Sequence, residues 1–262
     1  MSYICPVCKN ALDRAGDSYK CRAGHSYDIS ASGYVNLSGA GKASRGDDAD
    51  MVSARRRFLQ TERYKPLCDE VLTVLGRHDF TDLLDAGCGE GYYTKRISEA
   101  FPDKRIYGLD ISKKAAEKAA RSCKTANICV ASSYDMPYAD GSFDAVVNIF
   151  SPLSLDEYKR VLVRGGALVV AVPRPDHLIE LKQAVYENVF VKEMKDAELD
   201  GFESIGSTDV RFVMDLDSDE LNDLFMMTPY YHKTSYEDKE KLKNHKGLDV
   251  TASFTVFEYI RR

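Results

Sequence analysis

Thr81-Asp82-Leu83-Leu84-Asp85-Ala86-Gly87-Cys88-Gly89-Glu90-Gly91 runs from a short apolar strand into a turn in which glycines alternate. Tyr92 to Phe101 then carries Ile97, Ala100 and Phe101 at helical spacing. Glycines without a Cβ let a ligand lie against the main chain at a helix N-terminus. Twenty-one residues after Gly89, the strand Arg105-Ile106-Tyr107-Gly108-Leu109 ends in Asp110, an acid placed to accept both ribose hydroxyls of an adenosine cofactor. Asp85 precedes the first glycine by two positions. A carboxylate there repels a pyrophosphate and suits a cofactor bearing an ammonium group. The pattern therefore predicts S-adenosylmethionine in preference to NAD.

Outward from this turn, strands and helices alternate. Strands are expected over 81–85, 105–110, 126–130, 143–149 and 167–172, with helices over 91–101, 112–122 and 154–162. Ser112 is the expected N-cap of its helix, and Gly165-Gly166 reads as a turn into the fifth strand. This is an α/β chain with a parallel, doubly wound sheet, and its active residues belong at the strand carboxyl ends, 85–91, 110–112, 131–133, 148–152 and 173–177. A further helix from Asp176, a strand over 201–215, a helix over 217–227 and a last antiparallel strand over 251–260 complete the pattern. Cys68, Cys123 and Cys129 stand among apolar neighbours and read as core.

Ahead of this domain lies a different composition. Of seven cysteines, three fall within the first 21 residues, and Cys5, Cys8, Cys21 and His25 form the pattern C-x2-C-x12-C-x3-H. Each close pair supplies two ligands from one knuckle, and two knuckles can meet around one tetrahedral ion. Three thiolates and an imidazole close the sphere, so a structural zinc is expected, stabilising a segment too short to fold on apolar burial alone. Residues 1–37 thus read as a small zinc-binding domain, 38–50 as a linker, and 51–262 as the cofactor domain. A helix is expected from about Met51, with Asp48 or Asp50 as N-cap, and another over 66–75.

The net charge is −5, yet residues 1–65 hold eleven Lys/Arg against seven Asp/Glu, leaving −9 on the rest. Positive charge collects in front of the cofactor domain, where a recognition module for a polyanion can use it. Arg55, Arg56 and Arg57 span most of a helical turn and are candidates for phosphate contacts. Because they precede the cofactor turn, they are expected to leave cofactor affinity alone. No apolar run approaches the length of a membrane span, and no basic start leads into an apolar segment. A cytoplasmic location is the expectation.

With these residues in view, the chain resembles the bacterial 23S rRNA (guanine-N1)-methyltransferases from end to end. The resemblance rests on the four metal ligands, Gly33-Tyr34-Val35-Asn36-Leu37, Ala54-Arg55-Arg56-Arg57-Phe58-Leu59, the glycine turn through Thr94, Val130-Ala131-Ser132-Ser133 and Met227-Thr228-Pro229. It implies a Rossmann-like, S-adenosylmethionine-dependent class I domain, a zinc domain that helps hold RNA, and a homodimer. It also implies 1-methylguanine formed in a hairpin of 23S rRNA domain II near the peptide exit tunnel, and in one branch a link to macrolide resistance. Carried over by motif, Gly87, Gly89, Glu90 and Ser132 belong to the cofactor site. Tyr64 contacts the cofactor from the preceding segment, and His177 closes the pocket. The chain departs from the family pattern after Asn148, in Asn148-Ile149-Phe150-Ser151-Pro152. Asn148 is the candidate to hydrogen-bond the guanine edge, with Phe150 and Pro152 stacking on the base. Asp156 and Glu157 are candidates for a base. Two other readings compete: methylation of another RNA or a small molecule, and an inactive RNA-binding relative. From the ligand pattern, elemental analysis of purified protein should find close to one zinc per chain; a metal-free protein with an ordered N-terminus contradicts the ligand set.

Overall fold

A computed structural model of the chain describes residues 3–39, 49–189, 198–242 and 244–262. The N-terminal segment is a three-stranded antiparallel sheet of β1 (Asp13–Ala15), β2 (Ser18–Lys20) and β3 (Ser26–Asp28), followed by β4 (Val35–Asn36). Helices α1 (Ala49–Gln60) and α2 (Lys65–Leu75) lead to the expected alternation: β5 (Asp82–Ala86), α3 (Tyr92–Ala100), β6 (Arg105–Asp110), α4 (Lys113–Ser122), β7 (Asn127–Val130), β8 (Phe143–Ile149), α5 (Leu155–Val161), β9 (Leu162–Pro173) and α6 (Ile179–Val185). The chain ends with β10 (Phe202–Asp217), α7 (Ser218–Met226), α8 (Tyr236–Leu242) and β11 (Gly247–Arg261).

The large sheet has eight strands in the order β10-β11-β9-β8-β5-β6-β7-β4. Pairings from β9 through β4 are parallel, while β11 runs antiparallel to both β9 and β10. Strand β5 is buried along its whole length, and alternate residues feed opposite faces. Leu83 joins Leu67, Val71, Ile97, Leu181 and Leu224 on one face. Leu84 joins Tyr158 and Val161 on the other. The sheet is thus covered on both sides, as a parallel sheet requires.

Several local expectations change. Asp50 is no N-cap, because α1 already starts at Ala49 and holds Asp50 in its first turn. Asp48 and most of the expected linker, 40–48, lie outside the described residues, as do 190–197 of the acidic stretch. Gly165-Gly166 lies inside β9, whose register against β8 shifts between Phe143 and Ala145. Helix α8 had no legible period.

The larger surprise concerns the zinc-binding segment. β4 adds to the sheet edge, with Val35 opposite Cys129 and Asn36 opposite Val130 in parallel register. Tyr3, Cys5, Leu12, Cys21, Val35 and Leu37 share one apolar core with Leu84, Leu109, Cys129, Tyr138 and Val170. Ile4 N–H donates to Pro137 O at 2.9 Å, and Lys9 pairs with Asp135 at 3.0 Å. Read alone, the sequence suggests that losing zinc unfolds 1–37 and spares the rest. A shared core couples the two. Chelation, or Cys8→Ala, should therefore lower the melting temperature of the main calorimetric transition, by roughly 2–4 °C per kcal/mol for a chain of this size. An unmoved main transition beside a new low-temperature one would show that the segments unfold separately.

Candidate active site and metal centre

At the carboxyl ends of the parallel strands lies a cavity of about 1090 Å³. Its floor is the glycine turn. Gly89 N–H donates to Asp110 Oδ2 at 2.9 Å, and Ser112 N–H donates to Asp110 Oδ1 at 2.7 Å. One carboxylate thus ties the turn after β5 to the N-cap of α4. Gly89 has φ +55°, and a Cβ built there meets only the Arg55 guanidinium, at 3.8 Å. Gly87 differs: a Cβ there would run into the Ser151 side chain. The first glycine admits the neighbouring loop; the second leaves its open side to a ligand.

Asp85 does not line the cavity. It is buried beneath the turn, where Thr94 Oγ1 donates to Oδ2 at 2.6 Å. Burial raises its carboxyl to about 7 against the help of Thr94. Glu90 lines the cavity and is also pushed up by burial, with Arg56 Nη1 opposing at 3.7 Å. Ser132, Tyr64 and His177 also line it. His177 Nδ1 accepts from Ser253 N–H at 3.2 Å, so the ring proton sits on Nε2, 3.4 Å from Tyr64 OH. Burial pulls His177 down to about 3, so the ring is neutral at physiological pH. Tyr64 and His177 pack with Phe150, Phe212 and Phe254 into an aromatic wall, the His177 and Phe254 centroids 4.4 Å apart. An adenosine end and a cationic, apolar-flanked end fit this lining, as S-adenosylmethionine requires.

Other expected site groups are placed otherwise. Asn148 is buried and does not line the cavity. Its Nδ2 donates to Tyr158 OH at 2.6 Å and Pro152 O at 3.3 Å, so the amide holds the following loop and does not face a base. The arginines divide. Arg57 makes a two-point pair with Asp223 on α7, its Nε 2.8 Å from Oδ2, and so is spent on packing. Arg56 faces Glu90, and Arg55 lines the cavity, against the expectation that all three stand clear of the cofactor. Glu157 accepts from Met136 N–H at 2.6 Å and pairs with Arg160, while Asp156 is exposed beside Lys159; neither reaches the cavity.

Residues not anticipated complete the walls. Tyr134, Arg174, Lys182 and Met227 through Tyr230 all line the cavity. The Met227-Thr228-Pro229 motif was visible, but nothing in its residues says which wall it forms. Arg57–Asp223 and Arg63–Glu220, the latter with two contacts of 3.0 Å, clamp α1 and its C-terminal turn against α7 and bring that loop into place.

The four metal ligands converge as the spacing requires. Their donor atoms all lie within 4.8 Å of one another. Cys8 Sγ and Cys21 Sγ are 3.6 Å apart, and His25 Nδ1 lies 3.4 Å from Cys5 Sγ and 3.3 Å from Cys21 Sγ. A tetrahedral zinc with normal bond lengths sets these separations at about 3.8 Å for S···S and about 3.6 Å for S···N. The donor set fits a closed, structural zinc. The backbone N–H of Asn10 brings the Cys8 thiol down to about 6, favouring the thiolate that a metal needs.

Comparison with known proteins sharpens these readings. A family described as "Methyltransferase domain" matches residues 84–170, and a zinc-ribbon family described as "RlmA, N-terminal" matches 3–42. The chain is 32% identical over 263 residues to the 23S rRNA (guanine(748)-N(1))-methyltransferase of Streptomyces fradiae, covering 96% of this chain and 94% of that one. It is 31% identical over 270 residues to Bacillus subtilis (strain 168) YxjB, provisionally named a 23S rRNA (guanine-N(1)-)-methyltransferase, covering 97% and 95%. A malonyl-[acyl-carrier protein] O-methyltransferase of Hahella chejuensis is 35% identical over only 112 residues, 39% of this chain and 40% of that one. That shorter match spans well under half of either chain. Among solved structures, the Bacillus subtilis YcgJ protein superposes with TM-score 0.50 at 16% identity, covering 74% of this chain and 97% of that one, which establishes the fold.

Asp85 makes the site pH-dependent. Its folded value of about 7 lies above the unfolded 3.8, so the unfolded chain gives up this proton first. Its stabilising share is fully present below pH 3.8 and is lost as pH rises through 7, on the order of 4 kcal/mol in all. Asp85→Asn should therefore make the cofactor-free protein more stable than the parent at pH 8 and nearly equal to it at pH 4. Thermal unfolding of both proteins across that window is the check, and parallel profiles would reject a protonated Asp85.

Proposed function

The chain belongs to the 23S rRNA (guanine-N1)-methyltransferases, and we propose that it methylates one guanine in a hairpin of domain II of 23S rRNA. It is an S-adenosylmethionine-dependent enzyme with a structural zinc. The observation that carries the finer reading is the loop after β8. Phe150 is 45% exposed at the cavity mouth with φ +59°, a left-handed backbone that costs a non-glycine residue energy. That loop is held at several points: Asn148 binds Pro152 O, Phe150 N–H reaches Ala171 O at 3.3 Å, and the missing Cβ of Gly87 admits Ser151. A displayed aromatic ring, fixed at this expense beside a cofactor cavity, is suited to receive a base taken out of its stack.

In this reading Tyr64, Gly87, Gly89, Glu90, Asp110, Ser132 and His177 surround the cofactor, with Asp85 acting from below the turn. Bound there, the cofactor supplies an electrophilic methyl group. The protein's part is orientation. Guanine N1 would take the methyl group as its carbon–sulfur bond breaks to leave a neutral thioether, and would give up its proton to solvent at the open cavity mouth. Holding the base in register therefore matters more than acid–base help. Phe150 and Pro152 stack on the guanine, Asn148 positions them, and neutral His177 adds no positive charge beside a cationic donor. The zinc segment, docked on the sheet edge, holds RNA outside the cavity. The proposal includes a homodimer working in the cytoplasm and, from the family resemblance, an effect on macrolide resistance. No helix among the described residues is long and apolar enough to cross a membrane.

Mass mapping of 23S rRNA treated with purified protein and S-adenosylmethionine should locate one 1-methylguanine in the domain II hairpin. Phe150→Ala should lower turnover on the hairpin at least tenfold while changing cofactor affinity little. Methylation elsewhere, or on small molecules alone, contradicts the assignment.

A further inference from the structure

Helix α1 has two working faces. Met51, Arg55 and Leu59, at i, i+4 and i+8, face the cofactor cavity. Ala49, Val52 and Ser53 face α4 across a separate cleft of about 200 Å³. The other wall of that cleft is the stripe Lys114, Lys118 and Arg121, at i, i+4 and i+7 of α4. The buried face of α4 is Ala115, Ala116, Ala119 and Ala120, which leaves its cations to the outside.

The charge balance in this cleft is unusual for a chain of net −5. Among the described residues, Glu117 is the one carboxylate lining it, and Arg121 already engages it at 2.6 Å. Lys118 Nζ donates to the neutral Ser53 hydroxyl at 2.9 Å. Among the described residues, no carboxylate forms an ion pair with Lys113, Lys114 or Lys118. Burial pulls the Lys118 ammonium down, and the nearby Arg56 guanidinium adds to this while the Glu90 carboxylate opposes it. The fold holds like charges close where an anion from outside completes them.

Position singles out one kind of anion. At one end of the stripe, Arg121 Nε donates to Ser32 Oγ at 3.1 Å and Lys124 Nζ to Ser32 O at 3.2 Å, joining α4 to the zinc-binding segment. Helix α1 lines both the cleft and the cavity, with Ala49, Val52 and Ser53 on the first and Met51, Arg55 and Leu59 on the second. The cleft lies between the two parts of the protein that an extended polyanion must reach. We propose that the α1–α4 cleft, through Lys114, Lys118 and Arg121 with Ser53, binds backbone phosphates of the RNA strand that carries the target guanine. The inference rests on the rRNA reading above. It assigns to α4 the phosphate contacts that the sequence suggested for Arg55, Arg56 and Arg57.

The test uses the full-length zinc-loaded protein, a domain II hairpin and the variant Lys114→Gln/Lys118→Gln. Hairpin affinity is measured across a salt series beside S-adenosylmethionine affinity and the melting temperature. Each lost contact should flatten the slope of log affinity against log salt by about 0.7 to 0.9, and weaken binding roughly five-fold at about 0.15 M salt. A hairpin with altered bases should lose as much, since phosphate contacts carry no sequence information. Cofactor affinity and melting temperature should stay at the parent values. Lys114→Glu/Lys118→Glu should weaken RNA binding further. If the parent binds and methylates the hairpin while both variants match its affinity and slope, the cleft is not a phosphate site. If the parent itself neither binds nor methylates the hairpin, the rRNA reading falls, and this inference with it.

Discussion

Two backbone N–H groups, those of Gly89 and Ser112, share the carboxylate of Asp110, and the active region is arranged around that bridge. It fixes the glycine turn to the end of β6 and starts α4 in the same stroke. Because α4 begins there, Ala119 comes against Gly91, where a Cβ would stand 2.7 Å from the Ala119 Cα. The cavity floor and the outward stripe of α4 are therefore set by one acid. Asp85 beneath the same turn adds a second constraint of opposite sign: a buried carboxyl that costs stability as it ionises and favours a cationic ligand above it.

Helix α1 divides what this arrangement creates. Its Arg57–Asp223 pair and the Arg63–Glu220 pair just beyond it pin it to α7, so that the cavity lies on one flank and the cationic cleft on the other. Two-point arginine–carboxylate contacts suit this task, since they fix orientation as well as distance. The third arginine-rich position, Arg55, turns into the cavity. Adjacent arginines on one helix thus serve different surfaces, because each successive side chain rotates by about 100° around the helix axis.

Strain at Phe150 and the docking of the zinc segment have a common character. Each places an exposed surface on a firmly held support. The loop carrying Phe150 hangs on Asn148, Ser151 and the β9 backbone, while the zinc-binding segment hangs on β4 in the sheet and on a shared apolar core. Surfaces built this way keep their geometry when a ligand arrives.

Local chemistry was legible from the residues. Short, nearly continuous apolar runs located β6 and β8 to the residue, and the metal ligands announced themselves because thiolates and imidazole at knuckle spacing have few other uses. The glycine turn with Asp110 named the cofactor, and Ser112 capped α4 as read. Contacts between distant segments were not legible. Nothing around Asn148 tells that Tyr158 and Pro152 occupy its amide, and nothing in Arg55-Arg56-Arg57 says which arginine meets Asp223, 166 positions away. Val35-Asn36 is too short to read as a strand until β7 offers it an edge. Periodicity and ligand spacing are properties of neighbours along the chain, whereas the partner of a buried amide, a guanidinium or an edge strand is chosen by packing, which only the folded arrangement of all segments decides.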